Sequence, residues 1–160
     1  MNQGTVTRCY SNGLLGDYRT RENAAFALEN SSGSIENCYT TARLRLGSGD
    51  SQGKASAFIL RVQGDGTVEN CYSASMLDEV LRGKENFRFA PSQAAGISNC
   101  YAWDSGSFEG ELPQGVKGCS YGEMASGLCD WLNPMRTTGV GLSGGENIPI
   151  PWRGSIRCLC

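Results

Sequence analysis

The chain of 160 residues contains no histidine. That absence excludes Ser-His-Asp and Cys-His catalysis and every metal site that needs an imidazole. A Walker A loop and an HExxH motif are missing as well. No stretch approaches about 18 consecutive apolar residues, so no membrane insertion is expected. Positive charge is not in excess: 14 Lys and Arg stand against 16 Asp and Glu, a net charge of −2. Nucleic acid is therefore not an expected partner, because phosphate binding needs a basic surface. The N-terminal MNQGTVTRCY lacks the basic region and apolar run of a signal peptide. Met1 lies three residues before the first repeat described below. The chain thus reads either as a fragment cut in phase with its repeats or as a complete protein whose first coil is exposed.

Glycine and cysteine are abundant, with 22 and 8 residues, while hydrophobic residues reach 39%. Many glycines between short apolar runs point to turns and short strands. Four cysteines belong to one recurring octapeptide: GTVTRCYS at 4–11, GSIENCYT at 33–40, GTVENCYS at 66–73 and AGISNCYA at 95–102. Their cysteines are separated by 29, 33 and 29 residues. A second apolar feature recurs between them: AAFALEN at 24–30, ASAFILRV at 55–62 and NFRFAP at 86–91. One unit therefore reads strand, polar turn, glycine-started strand, Cys-Tyr, third strand, loop. The loop after Cys-Tyr varies most.

A unit of about 30 residues with two or three short strands cannot bury its own apolar face. Stacking copies along an axis solves this. The expected fold is all-β, a parallel β-solenoid (β-helix) of about four to five coils with a short C-terminal capping helix. Repeats are assigned to 4–32, 33–65, 66–94 and 95–118 within a solenoid of residues 1–118. A cap at 119–133 carries a helix over 122–133, where Met124, Leu128, Trp131 and Leu132 have helical spacing. Residues 134–160 form an irregular arm, and 73–85 admits a brief helical excursion. VKGCSYG at 116–122 reads as a decayed last strand. A propeller blade is longer and usually four-stranded, so it fits less well.

Stacking turns equivalent residues into columns. Val6, Ile35, Val68 and Ile97 are β-branched and should point inward. Arg8, Asn37, Asn70 and Asn99 occupy a corner, where an amide can bond the coil above and fix a turn. If that corner shifts the alternation, Cys9, Cys38, Cys71 and Cys100 face in and Tyr10, Tyr39, Tyr72 and Tyr101 face out. Two readings of the cysteines stand. They form disulfides or a metal site, or they are a reduced column of small buried hydrophobes. The second is favoured, because in-register side chains lie parallel and suit a disulfide torsion poorly. Cys158 and Cys160 alternate on one strand face, within reach of a soft metal or of Cys119 or Cys129, although a tucked tail is the simpler reading. Two readings of the tyrosines stand as well. With Trp103 they form an exposed aromatic strip for a ligand, or they stack on one another and shield the sheet.

The G-[TS]-[VI]-x-N-C-Y-[ST] unit, preceded by segments such as AAFALENSSG, resembles the GLUG repeat, which typically reads GGLVGxNxGxIxNCYxxG. The likeness spans residues 4–102 and, more loosely, 116–133. AAFAL or SAFIL stands where the repeat has GGLVG, and Arg8 stands where it has Asn. The resemblance implies a parallel β-solenoid on a bacterial cell surface or in a secreted protein, and no activity. The expected function is a non-enzymatic structural or adhesive module that mediates contact or spacing, without cofactor. Its partner would be a glycan or a host or cell-surface protein. A self-assembling fibre protomer is the alternative. A carbohydrate-active enzyme is a weaker third reading, since Asp50, Asp65, Asp78, Glu79, Asp104 and Glu109 lie mostly in loops and form no conspicuous pair. Arg43 and Arg45 in ARLRL fit an outward basic pair on a strand.

Overall fold

Strands of two to four residues gain stability only when each is paired along its length. A computed structural model describes residues 1–16, 22–45, 53–77, 85–104, 108 and 110–124. The first repeat holds β1 (Thr5–Thr7), β2 (Tyr10–Ser11), β3 (Leu14–Leu15), β4 (Glu22–Ala24) and β5 (Ala27–Asn30). The second holds β6 (Ser34–Glu36), β7 (Tyr39–Thr40), β8 (Arg43–Leu44), β9 (Lys54–Ser56) and β10 (Ile59–Val62). The third adds β11 (Thr67–Glu69), β12 (Tyr72–Ser73), β13 (Met76–Leu77) and β14 (Glu85–Phe87). After these come β15 (Ile97–Ser98), β16 (Cys100–Trp103) and β17 (Val116–Cys119).

The architecture is all-β, and its strands form parallel sheets. Five sheets have the orders β1-β6-β11-β15, β17-β16-β12-β7-β2, β13-β8-β3, β14-β9-β4 and β10-β5. With one exception, each strand bonds to the strand at the same place in a neighbouring repeat. Val6 is opposite Ile35, Ile35 opposite Val68, and Val68 opposite Ile97. Tyr10, Tyr39, Tyr72 and Tyr101 align in the same way. The exception is β17, which pairs with β16 so that Val116 is opposite Cys100 and Cys119 opposite Trp103.

The core follows from the columns. Ile35, Val68, Cys38, Cys71, Phe58 and Phe89 form one buried cluster. Phe26, Phe58 and Phe89 stack nearly parallel, with ring centroids 4.8 and 4.6 Å apart. That stack accounts for a difference from the expected strands. AAFALEN and ASAFILRV are each two strands in different sheets, with bends at 25–26 and 57–58. The bend sends Phe26 and Phe58 toward the core, where a continuous strand would alternate past it. A second cluster gathers Ala42, Leu44, Ala55, Ala57 and Leu77. Arg43 and Arg45 flank buried Leu44 and are exposed, as their alternation predicts.

The corner residues explain how Val and Cys, three apart, share the interior. Arg8, Asn37, Asn70 and Asn99 all have positive φ, between 46° and 55°. A left-handed residue breaks the period of two, and Asn tolerates it better than other non-glycine residues. Asn99 Nδ2 donates to Asn70 Oδ1 at 2.6 Å, the amide link between repeats expected from the sequence. The glycines that open the second, third and fourth units have a separate cause, a close backbone oxygen that Gly4 lacks. A Cβ on Gly33 would strike the Gly4 carbonyl oxygen, and one on Gly96 would strike that of Gly66.

Residues 121–124 are helical, and Ser120 caps them. The Glu123 N–H donates to Ser120 Oγ (3.3 Å) and the Ser120 N–H to Glu123 Oε2 (2.8 Å), a capping box. The helix therefore starts one residue before the expected 122; its remainder, residues 125–133, and the arm 134–160 lie outside the described residues. Met76 and Leu77 form a strand, and the rest of the proposed excursion, 78–84, is not described.

The corner makes a quantitative prediction. Asn70→Ala should destabilise the chain by about 1–2 kcal/mol, the cost of a left-handed residue that carries an ordinary Cβ, and Asn70→Gly by much less. Arg8→Asn should stabilise it by up to about 1 kcal/mol on the same scale. Urea midpoints at unchanged slope measure both. A neutral Asn70→Ala would contradict this role of the corner.

Candidate functional site

The Cys-Tyr column is the feature that the sequence singles out, and the structure divides it into an inner and an outer half. Cys38, Cys71 and Cys100 are 0%, 0% and 1% exposed, whereas Cys9 is exposed. All five described cysteines, Cys119 included, are free thiols. Each repeat thiol donates across the corner to the carbonyl two residues back: Cys9 to Thr7 (3.3 Å), Cys38 to Glu36 (3.2 Å), Cys71 to Glu69 (3.1 Å) and Cys100 to Ser98 (3.1 Å). Each buried sulfur also leans toward the preceding repeat. Cys38 Sγ accepts from the Cys9 N–H, and Cys71 Sγ from the Cys38 N–H, both at 3.4 Å. The sulfur thus takes up the N–H groups of Cys9 and Cys38, while the carbonyls of Glu36, Glu69 and Ser98 also accept from the corner N–H groups of Arg8, Asn37 and Asn70. Burial pushes the Cys71 thiol upward, and burial raises Cys119 to about 11. Cys129, Cys158 and Cys160 lie outside the described residues.

The tyrosines occupy the opposite face of the same strands. Tyr10 and Tyr39 stack at 5.4 Å, and Tyr39 and Tyr72 at 5.2 Å. Tyr39 is 5% exposed and Tyr72 0%. Of the two readings of the tyrosines, the stacked and shielding one describes Tyr39 and Tyr72, because these two rings do not reach solvent. They pack with Cys119 and Met124, and with the half-buried Tyr101 and Trp103. The rings cover one another along the column, with Tyr39 lying between Tyr10 and Tyr72. Burial also raises the ionisation of Tyr39 and Tyr72 above the usual phenol range. Tyr10, at 58%, is the exposed end of the stack. Trp103 meets Tyr121 edge-on at 6.3 Å.

Two sets of residues that the sequence reading passed over complete the inner wall. Ser11, Thr40 and Ser73 directly follow the tyrosines, align in register and point inward. The Ser73 hydroxyl donates to the Ala57 carbonyl at 2.6 Å, and Thr40 Oγ1 to that of Ala25 at 3.4 Å. Their signal was visible as a Ser or Thr after Cys-Tyr in three of the four copies. Asn30 is fully buried and donates to the carbonyls of Gly33 and Thr67, both at 2.9 Å, so one amide links two repeats.

Among the described residues no three His, Cys, Asp or Glu side chains are grouped to hold a metal ion. Of the carboxylates considered for catalysis, Asp65 is exposed and Asp104 pairs with Arg88 at 3.5 Å. Asp50, Asp78, Glu79 and Glu109 are outside the described residues. No helix among the described residues is long and apolar enough to cross a membrane.

Burial separates the tyrosines energetically. Tyr72→Ala should cost about 3–5 kcal/mol, as for other buried aromatics. Tyr10→Ala should cost less than about 1.5 kcal/mol, roughly the value of one aromatic pair. Equal shifts of the urea midpoint would contradict the buried stack.

No protein-family model matches the chain, and neither a curated protein nor a solved structure matches it.

Proposed function

We propose that this chain is a β-solenoid module with no catalytic role, a structural and adhesive segment of a bacterial cell-surface or secreted protein. One observation carries the reading: in four of the five sheets at least three parallel strands lie side by side, nearly all one repeat apart. A stack built this way gains length and surface with each repeat added, which suits spacing and contact. The likeness of its Cys-Tyr unit to the GLUG repeat supports the surface location. The repeated residues have packing roles, whereas the loops after Cys-Tyr differ in every copy, so partner contact is assigned to those loops. A glycan or a cell-surface protein is the partner class.

Duplicating residues 33–65 in place tests the solenoid reading. The longer chain should fold cooperatively, with a maximum dimension in X-ray scattering greater by about 4.8 Å, one strand spacing. It should also be at least as stable as the parent. A chain that unfolds, or that grows in all directions, would contradict the reading. Exchanging the loop sequence 46–52 for a Gly-Ser segment should abolish binding to a glycan or protein found by panel screening. New reducing ends or unsaturated products from the polysaccharides would instead favour an enzyme.

A second reading, self-association of copies through the first repeat, is favoured by one feature. Of seven large exposed hydrophobic side chains among the described residues, four belong to the first repeat, Tyr10, Leu14, Leu15 and Leu28, and a fifth, Met1, directly precedes it. Strands β1 to β4 also each lie at the edge of a sheet, where unpaired backbone invites another strand, whereas the outer side of β5 is bridged at Asn30 by Asn2. Sedimentation should then show mass rising with concentration, and Leu14→Lys should restore the monomer. A monomer at high concentration would eliminate this reading.

A further inference from the structure

Among the described residues of the cysteine column, one thiol is accessible. Cys9 is exposed, and Cys38 directly behind it is fully buried. Two backbone bonds clamp the two residues side by side: the Arg8 N–H donates to the Glu36 carbonyl and the Tyr39 N–H to the Cys9 carbonyl, both at 3.1 Å. Parallel neighbours stand about 4.8 Å apart, inside the roughly 4.4–6.8 Å that a disulfide spans between Cα atoms. The exposed Cys9 side chain has room to rotate out of the parallel alignment that suits the torsion poorly. The Cys38 side chain is already turned toward its neighbour. Its sulfur lies 3.4 Å from the Cys9 nitrogen and 3.7 Å from the Val6 oxygen, both in the first repeat. Cys71 and Cys100 stand farther along the column, shut off behind Cys38.

We propose that Cys9 and Cys38 form a thiol–disulfide exchange site that takes a low-molecular-weight disulfide as co-substrate. Cys9 is the attacking thiol and Cys38 the resolving one. The Cys9 thiolate attacks one sulfur of RS–SR, the S–S bond breaks, and RS⁻ leaves and is protonated. Cys38 attacks the Cys9 sulfur and expels the second RS⁻, which takes up the Cys38 proton. Two protein thiols are oxidised to one disulfide, and RS–SR is reduced to two RSH. The product joins the first repeat covalently to the second across a 29-residue spacing. The order of events follows from access: the exposed sulfur meets the reagent, and the buried one lies between Cys9 and the equally buried Cys71, so oxidant reaches it through Cys9. This inference does not depend on the adhesive reading.

The test treats the whole chain with glutathione disulfide, blocks free thiols with an alkylating agent, and maps peptides by mass spectrometry without reduction. A Cys9–Cys38 cross-link should be the main product, and dithiothreitol should reverse it. Cys71 and Cys100 should be alkylated only after denaturation. In Cys9→Ser, a surface change, oxidation of Cys38 should be lost. The proposal is overturned if Cys9 remains only as the mixed disulfide, or if it bridges to Cys129, Cys158 or Cys160. It is equally overturned if Cys38 oxidises as readily in Cys9→Ser.

Discussion

The structure depends on the backbone hydrogen bond that each repeat makes to the equivalent residue of the next. No repeat satisfies its own strands. Val68 is held between Ile35 and Ile97, and Tyr72 between Tyr39 and Tyr101. This single register has two consequences. Like side chains must stack on like, so a residue that packs well on itself is favoured at every column. The corner must also have the same geometry in every repeat, because one altered corner would shift all that follows. Phenylalanine, tyrosine, hydroxyl and thiol columns are four answers to the first demand. The left-handed Asn, with a thiol donating across it, answers the second.

Much of this was legible in the sequence. The spacing of the four Cys-Tyr pairs reveals the repeat and its phase, and the Val and Ile column reveals the inner face. Ile35 and Val68 are indeed almost fully buried, as are Cys38 and Cys71. The sequence also placed Asn at a corner. It could not show that the corner is left-handed, or that the thiol, and not the amide alone, satisfies the backbone there. Arg8 illustrates the limit: a poor residue for that conformation adopts it because the register with Asn37 leaves no alternative.

What the sequence hid is mostly long-range. Tyr39 and Tyr72 are shielded by ring stacking between repeats and share an outer cluster with Cys119 and Met124, a grouping that no local pattern announces. The Cys-Ser-Tyr of 119–121 looks like a weakened repeat, yet its strand slides so that Val116, and not Cys119, lies beside Cys100. A cysteine thereby leaves the inner column and joins the outer cluster. The apolar segments misled in a different way. Their run of hydrophobic residues resembles one strand, but the need to bring Phe26 and Phe58 into the central stack bends each segment into two. Side-chain demand at one position overrides the periodicity of the run.

The proposed solenoid stands or falls on that register. Nuclear Overhauser contacts between backbone protons of labelled chain measure it directly. The account predicts cross-repeat contacts linking Val6 with Ile35, Ile35 with Val68, and Val68 with Ile97, all in parallel pattern. Contacts that instead joined strands consecutive in sequence, such as β1 with β2 in an antiparallel hairpin, would contradict it.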